Sequence, residues 1–232
     1  MNYILVTGAD SGIGRKVVER LLDNNKNVIA LCLKSLYNDD RILEYVCDLN
    51  DLDCISDLFG ICEAKEICIE GIIHCAGVCI KQEVNEISKE NMFCSFNVNV
   101  FSFIEICKHY FAYRNRSYKS SIIAISSITA DRAYKTQLLY AASKAALNSV
   151  VKSLAQEGLN KGILVNAVEF GAVNTPMFKS LEPNMETILK HYPLGVLEDD
   201  AAADMIISLL DDRYNKMTGS ILVYDSGFSV IH

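Results

Sequence analysis

The 232-residue sequence has no apolar run approaching the ~18–20 residues that cross a bilayer. Its N-terminus, Met1-Asn2-Tyr3-Ile4-Leu5-Val6, has no basic segment and breaks at Thr7-Gly8, too early for a secretory leader. Lysines and arginines are scattered, and the formal charge is −7. A chain of that charge offers no basic field for nucleic acid or anionic lipid, so neither a nucleic-acid nor a membrane partner is expected. There is no Cys-x-x-Cys pair among the nine cysteines, which all lie in the first half within apolar runs. Small buried thiols in a reducing compartment fit that usage, and a cytoplasmic location is expected. His74, Cys75 and Cys79 have no second-half ligands at suitable spacing, so no metal site is expected. No repeat and no Pro/Gly/Ser-rich linker divides the chain, which at this length is expected to form one domain.

What is there is an alternation. Short apolar runs stand at Tyr3–Val6, Asn27–Leu33, Leu43–Cys47, Ile69–Cys75, Ser121–Ile125, Leu164–Val168 and Ser220–Tyr224. Their near-continuous apolar character predicts strands buried on both faces, as in a parallel sheet. Between them, amphipathic segments predict helices over Gly12–Asp23, Leu52–Glu63, Asn91–Tyr113, Leu138–Leu159 and Ala201–Asp211. The expected fold is a doubly wound α/β domain of Rossmann type, with a mostly parallel sheet of about seven strands. Only Lys34–Ile42 lies between the second and third strands, too little for a full crossover helix, so an irregular connection is expected there.

Two local patterns carry chemistry. The first strand runs into Thr7-Gly8-Ala9-Asp10-Ser11-Gly12-Ile13-Gly14 and then a helix. Glycines there let the chain turn tightly and let a pyrophosphate approach the backbone, where the helix offers free N–H groups and its positive end. Further on, Tyr140-Ala141-Ala142-Ser143-Lys144 places a phenol and an ammonium four residues apart, on one face of a helix. A nearby ammonium favours the ionised phenol, which makes such a pair a tunable proton donor and acceptor.

T-G-x-x-x-G-x-G followed past the middle by Y-x-x-x-K resembles the short-chain dehydrogenase/reductase family, and the 3-oxoacyl-[acyl-carrier-protein] reductase-like members in particular. The resemblance covers essentially the whole chain and implies an NAD(P)(H)-dependent oxidoreductase acting on a carbonyl or secondary alcohol. A 3-oxoacyl thioester, a steroid, a sugar and a small ketone all stay open as substrates. It implies Tyr140 as general acid or base and Lys144 as the group that lowers the tyrosine pKa and holds the nicotinamide ribose. Ser127, thirteen residues before the tyrosine, is implied as the donor to the substrate oxygen, and Asn99 as the residue that positions water behind Lys144. Cofactor contacts are implied at Gly8, Ser11, Gly12, Ile13, Gly14, Asp48, Leu49, Cys75, Ala76, Gly77, Tyr140, Lys144, Gly171, Val173 and Thr175. Residues 1–118 would form the cofactor half and residues 119–232 the catalytic and substrate half.

There are departures from the family pattern. Its N-N-A-G reads His74-Cys75-Ala76-Gly77 here, with His74 expected as a core histidine, and Phe170 replaces a proline before Gly171. At the end of the second strand Cys32 stands where NAD-preferring members carry an acid, and Lys34-Ser35 follow. Lys34 as a phosphate contact gives a modest expected preference for NADP(H), with NAD(H) left open. The resemblance implies that Ile128–Gln137 and Pro176–Pro193 line the substrate pocket, and the apolar residues of the second read either as a lid or as a helix packing its own apolar face. The resemblance implies a homotetramer or homodimer paired through the long helices, here Asn91–Tyr113 and Leu138–Leu159, and the apolar surplus on both suggests a partner. The alternative reading is a dinucleotide-binding regulator on the same fold that no longer turns over.

Overall fold

A computed structural model describes residues 2–113 and 119–231. In chain order it runs β1 (Asn2–Thr7), α1 (Gly12–Asp23), β2 (Asn27–Cys32), β3 (Ile42–Val46), α2 (Asp53–Ala64) and β4 (Cys68–His74). Next come α3 (Lys89–Phe96), a π-helical turn (Asn97–Phe101), α4 (Ser102–Tyr113), β5 (Ser120–Ser127) and α5 (Leu138–Gly158). The chain continues through β6 (Ile163–Phe170), β7 (Val173–Asn174), α6 (Pro176–Ser180) and α7 (Met185–His191). It closes with β8 (Leu197–Glu198), α8 (Asp199–Ser208), β9 (Ile221–Tyr224) and α9 (Phe228–Ile231).

The main sheet has seven strands in the order β3-β2-β1-β4-β5-β6-β9, every neighbouring pair parallel. This is the doubly wound α/β architecture that the alternation predicts. Each face of the sheet has its own core. One holds Leu5, Ile72, Ile122 and Val165 under α2, α4 and α5, with Phe59, Phe103, Tyr110 and Leu147 coming from the helices. The other holds Val6, Ile73, Ile125 and Val168 under α1 and α8, with Val17, Val18, Ala202 and Ile206. The sheet runs through both expected halves, and their boundary at 118/119 adjoins residues 114–118, outside the described residues.

Several expectations need correction. The strands are not all buried on both faces, because β3 and β9 are edges: Val46, Val223 and Tyr224 are exposed. The helix expected over Asn91–Tyr113 starts at Lys89, where the Ser88 hydroxyl caps it by accepting from Asn91 N, and it is interrupted by the π turn. The last amphipathic helix is α8, Asp199–Ser208, and not Ala201–Asp211; Asp199 and Asp200 occupy its first turn, where carboxylates suit the dipole. The nine cysteines are not all free, nor all buried. Cys47 and Cys54, at the end of β3 and the start of α2, stand 6.1 Å apart at Cα and form a disulfide. Cys68, Cys75, Cys79 and Cys94 are partly exposed. The connection between β2 and β3 has no helix, as its length predicts.

Candidate active site

The strand order reverses between β1 and β4, and a cavity of about 710 Å³ opens at the carboxyl ends of these strands. Ligands of open α/β sheets bind at such a crevice. Its first wall is the turn from β1 into α1. Gly8 sits at φ +61°, and a Cβ there would come within 2.9 Å of Ala76 Cα. A Cβ on Gly14 would lie 2.1 Å from the Gly8 carbonyl oxygen. Only glycines let α1 start this close to the strand, and its first turn, with no acidic side chain, faces the cavity.

The opposite wall is built on α5 and the end of β5. Ser127, Tyr140 and Lys144 all line the cavity. Lys144 is buried and its Nζ donates to the Ile125 carbonyl oxygen at 2.7 Å, lying 5.7 Å from the centre of the Tyr140 ring. Burial pulls the lysine down to about 8, opposed by the Cys75 and Cys79 thiols. Burial pushes the Tyr140 phenol above its ordinary value, Cys79 adds to the rise, and a hydrogen bond with Ser127 opposes it. The expected depression of the tyrosine by Lys144 is therefore not what the protein alone produces. The ammonium is turned to the Ile125 carbonyl.

Asn99 does not line the cavity. Its Oδ1 accepts from Val78 N at 2.7 Å, and its Nδ2 donates to Val78 O at 3.0 Å and to Ser143 Oγ at 2.8 Å. The side chain expected to position water fastens the loop after Gly77 to α5, from inside the π turn. Gly8, Ser11, Gly12, Ile13, Gly14, Asp48, Leu49, Cys75, Ala76, Gly77, Gly171, Val173 and Thr175 all line the cavity. Lys34 is exposed and is not among the lining residues, and Ser35 Oγ donates to Glu44 at 2.5 Å. Asp10 lines the cavity beside that strand end, its carboxylate accepting from Leu33 N at 3.2 Å.

The altered histidine is buried under this wall. His74 Nδ1 shares a hydrogen bond of 3.0 Å with Thr7 Oγ1, which also accepts from Ala76 N at 3.0 Å. The ring lies against Phe103, and Nε2 has no partner among the described residues. Phe170 is buried and packs edge-on to Tyr224. At the far end Ile128, Ala172, Tyr192 and Phe228 form a separate small core, against which Tyr134, Phe178 and Ile188 pack. The segment Pro176–Pro193 holds two short helices, α6 and α7, that pack Phe178 and Ile188 inward while Met185 and Leu189 stay exposed. Tyr134, in the segment after Ser127 that the resemblance implies as pocket lining, lines the cavity; Cys79 and Cys94 line it too, and sequence reasoning missed them because nothing in their spacing marks them.

The family model described as enoyl-(acyl carrier protein) reductase matches residues 8–229. The chain belongs to the short-chain dehydrogenase/reductase family. It is 31% identical to an L-xylulose reductase of Caenorhabditis elegans, over 97% of this chain and 95% of the relative. It is 28% identical to the 3-oxoacyl-[acyl-carrier-protein] reductase of Thermotoga maritima, over 97% of each. A 4-hydroxyisoleucine dehydrogenase solved with NADH superposes with a TM-score of 0.91 at 25% identity, over 99% of both chains. A short-chain dehydrogenase family protein of Francisella tularensis gives 0.89 at 27%, over 99% of this chain and 98% of the other. This short-chain dehydrogenase/reductase is a nicotinamide-dependent oxidoreductase.

Proposed function

We propose that the chain interconverts a ketone and a secondary alcohol, with Tyr140 as the proton donor in reduction and the acceptor in oxidation. The observation that carries this reading is that Ser127, Tyr140 and Lys144 line the same cavity as the glycine turn of α1. The residues fit a dinucleotide: the turn has no Cβ where a pyrophosphate would approach, and the reaction groups stand on the opposite wall. A nicotinamide cofactor supplies or takes the hydride when bound. Ser127 would donate to the substrate oxygen as charge develops on it, and Lys144 would hold the ribose hydroxyls beside Tyr140. Asn99 would keep the Gly77–Val78 backbone against α5, so that Lys144 stays in place. A 3-oxoacyl thioester or another ketone fits the apolar far wall.

The proposed cofactor is NAD(H), against the NADP(H) preference read from Lys34. The cationic side chains among the described lining residues are Lys81 and Lys144, and Lys144 stands at the catalytic end. A 2′-phosphate would meet the Asp10 carboxylate with no cation in the wall beside it. Assembly as a homodimer or homotetramer, and a cytoplasmic location, belong to the same proposal; no helix among the described residues is long and apolar enough to cross a membrane.

The test is turnover with NADH and NADPH on a panel of ketones and alcohols that includes an acetoacetyl thioester, cyclic ketones, steroids and ketoses. Tyr140→Phe is expected to lower kcat by ~10²–10⁴-fold with cofactor affinity close to normal. A higher kcat/KM with NADPH would reject the cofactor assignment. Saturable cofactor binding with no turnover on the panel would favour the regulator instead.

A further inference from the structure

Glu169 is a buried titratable group that the mechanism above does not use. It stands on β6 just before Phe170 and Gly171, and it is 2% exposed. A glutamate is rarely buried that far unless it is paired. Its hydrogen-bond partner here is neutral: Asn148 of α5, whose Nδ2 donates to Glu169 Oε1 at 2.5 Å. Asn148 is buried too, and its Oδ1 is shielded from solvent with no hydrogen-bond partner among the described residues. An acceptor that lacks a donor thus lies beside a carboxyl group, and a carboxyl that keeps its proton has one O–H to give.

We propose that Glu169 is a neutral carboxylic acid in the folded protein, donating its O–H to Asn148 Oδ1 while accepting from Asn148 Nδ2, and that this pair positions the catalytic wall. The setting opposes ionisation. Burial raises the Glu169 pKa, and the bond from Asn148 opposes the rise. Of the charged groups around it, Asp131 after β5 and Asp225 after β9 add to the rise, and Lys152 of α5 opposes it. The pair also joins the two elements that carry the site. Asn148 lies one helical turn beyond Lys144 on α5. On the sheet, Glu169 is in register with Ser126 and Phe170 with Ser127. Loss of the proton would set a charged, acceptor-only carboxylate against the Asn148 carbonyl oxygen and loosen α5, with Tyr140 and Lys144, from β6. The role in turnover rests on the Tyr140 reading; the protonation does not.

Glu169→Gln is the informative variant, because an amide keeps one N–H to donate and one oxygen to accept but cannot ionise. Infrared difference spectra of the wild type against Glu169→Gln and against Glu169→Ala, at pH 7 without cofactor, are expected to show the carbonyl band of a protonated carboxyl. A group whose folded pKa is raised contributes stability that is full below its unfolded value and is lost as pH rises towards and through the folded one. The Tm of the wild type is therefore expected to fall relative to that of Glu169→Gln between pH 5 and pH 8. On a ketone that the wild type reduces, Glu169→Ala is expected to lower kcat at least tenfold and Glu169→Gln to stay within threefold. A carboxylate band alone at pH 7, or a wild-type Tm that holds level or rises relative to Glu169→Gln, overturns the neutral acid. A Glu169→Gln that loses as much kcat as Glu169→Ala, or a Glu169→Ala that loses none, overturns the positioning role. Absence of turnover by the wild type with every ketone and either cofactor overturns the reductase reading, and the infrared and Tm results then decide the neutral acid by themselves.

Discussion

At the residue scale, His74 shows what one departure from the family pattern does. Burial in an apolar setting holds its pKa down to about 3, and the charge of Lys144 acts in the same direction. The unfolded chain would take up a proton near the ordinary ~6.5, so the stability that His74 contributes is present above that value. It is lost as pH falls from ~6.5 towards the folded value, at about 1.4 kcal/mol per pH unit from this group. Urea unfolding between pH 7 and pH 4 is expected to show a shallower acid loss in His74→Asn than in the wild type. Equal slopes would mean that the ring is protonated in the native state. His74 was read from the sequence as a core residue, and its burial agrees. Its bond to Thr7 was not legible, because residues 67 positions apart meet only through the register of β1 on β4.

At the scale of elements, what could be read and what could not divide along a physical line. Helix α1 was legible to the residue, since Gly12–Asp23 carries its own amphipathic pattern and its own start signal. The break in the helix before Tyr113 was not, because a π turn shows no change in apolar spacing large enough to see. The glycine turn was legible in position but not in cause. The clash of 2.1 Å that a Cβ at Gly14 would make is with backbone of Gly8, which cannot rotate away. Gly14→Ala is therefore expected to push α1 off β1, at ~1–3 kcal/mol, and to lower Tm by roughly 3–10 °C. Cofactor affinity should fall at least tenfold. Gly60, in the middle of α2, is the matched control, with nothing within 4 Å of its added Cβ. Gly60→Ala is expected to raise Tm, since alanine is the better helix former by about 1 kcal/mol. Differential scanning fluorimetry with and without NADH reads both; equal effects would mean that the close approach at Gly14 does not matter.

At the scale of the whole molecule, the helices beside the active site have more apolar surface than the fold uses. Phe103, Ile106 and Tyr110 of α4 are buried in the core beneath. On the outside Phe93 is 64% exposed, Phe101 41% and Ile104 39%. Met92 and Leu138 are exposed nearby, and α5 presents the small residues Ala142, Ala145 and Ser149 on its own outer side. Bulky side chains on one helix beside small ones on the next make a surface whose copy can be packed against it with the two interchanged. A two-fold pair uses such a surface twice. The occupant proposed for this face is therefore a second copy of the chain. The 25.8 kDa chain is expected to scatter light as a dimer or tetramer at micromolar concentration. Phe93→Glu with Ile104→Glu places two carboxylates on that face without touching the buried side. The double variant is expected to run as a monomer with an unchanged far-ultraviolet circular dichroism spectrum. Because Asn99 and Ser143 join these same helices to the active-site wall, the monomer is also expected to lose Tm and turnover together. A wild type that is monomeric, or a double variant that keeps its size, would assign this apolar face to something other than a copy of the chain.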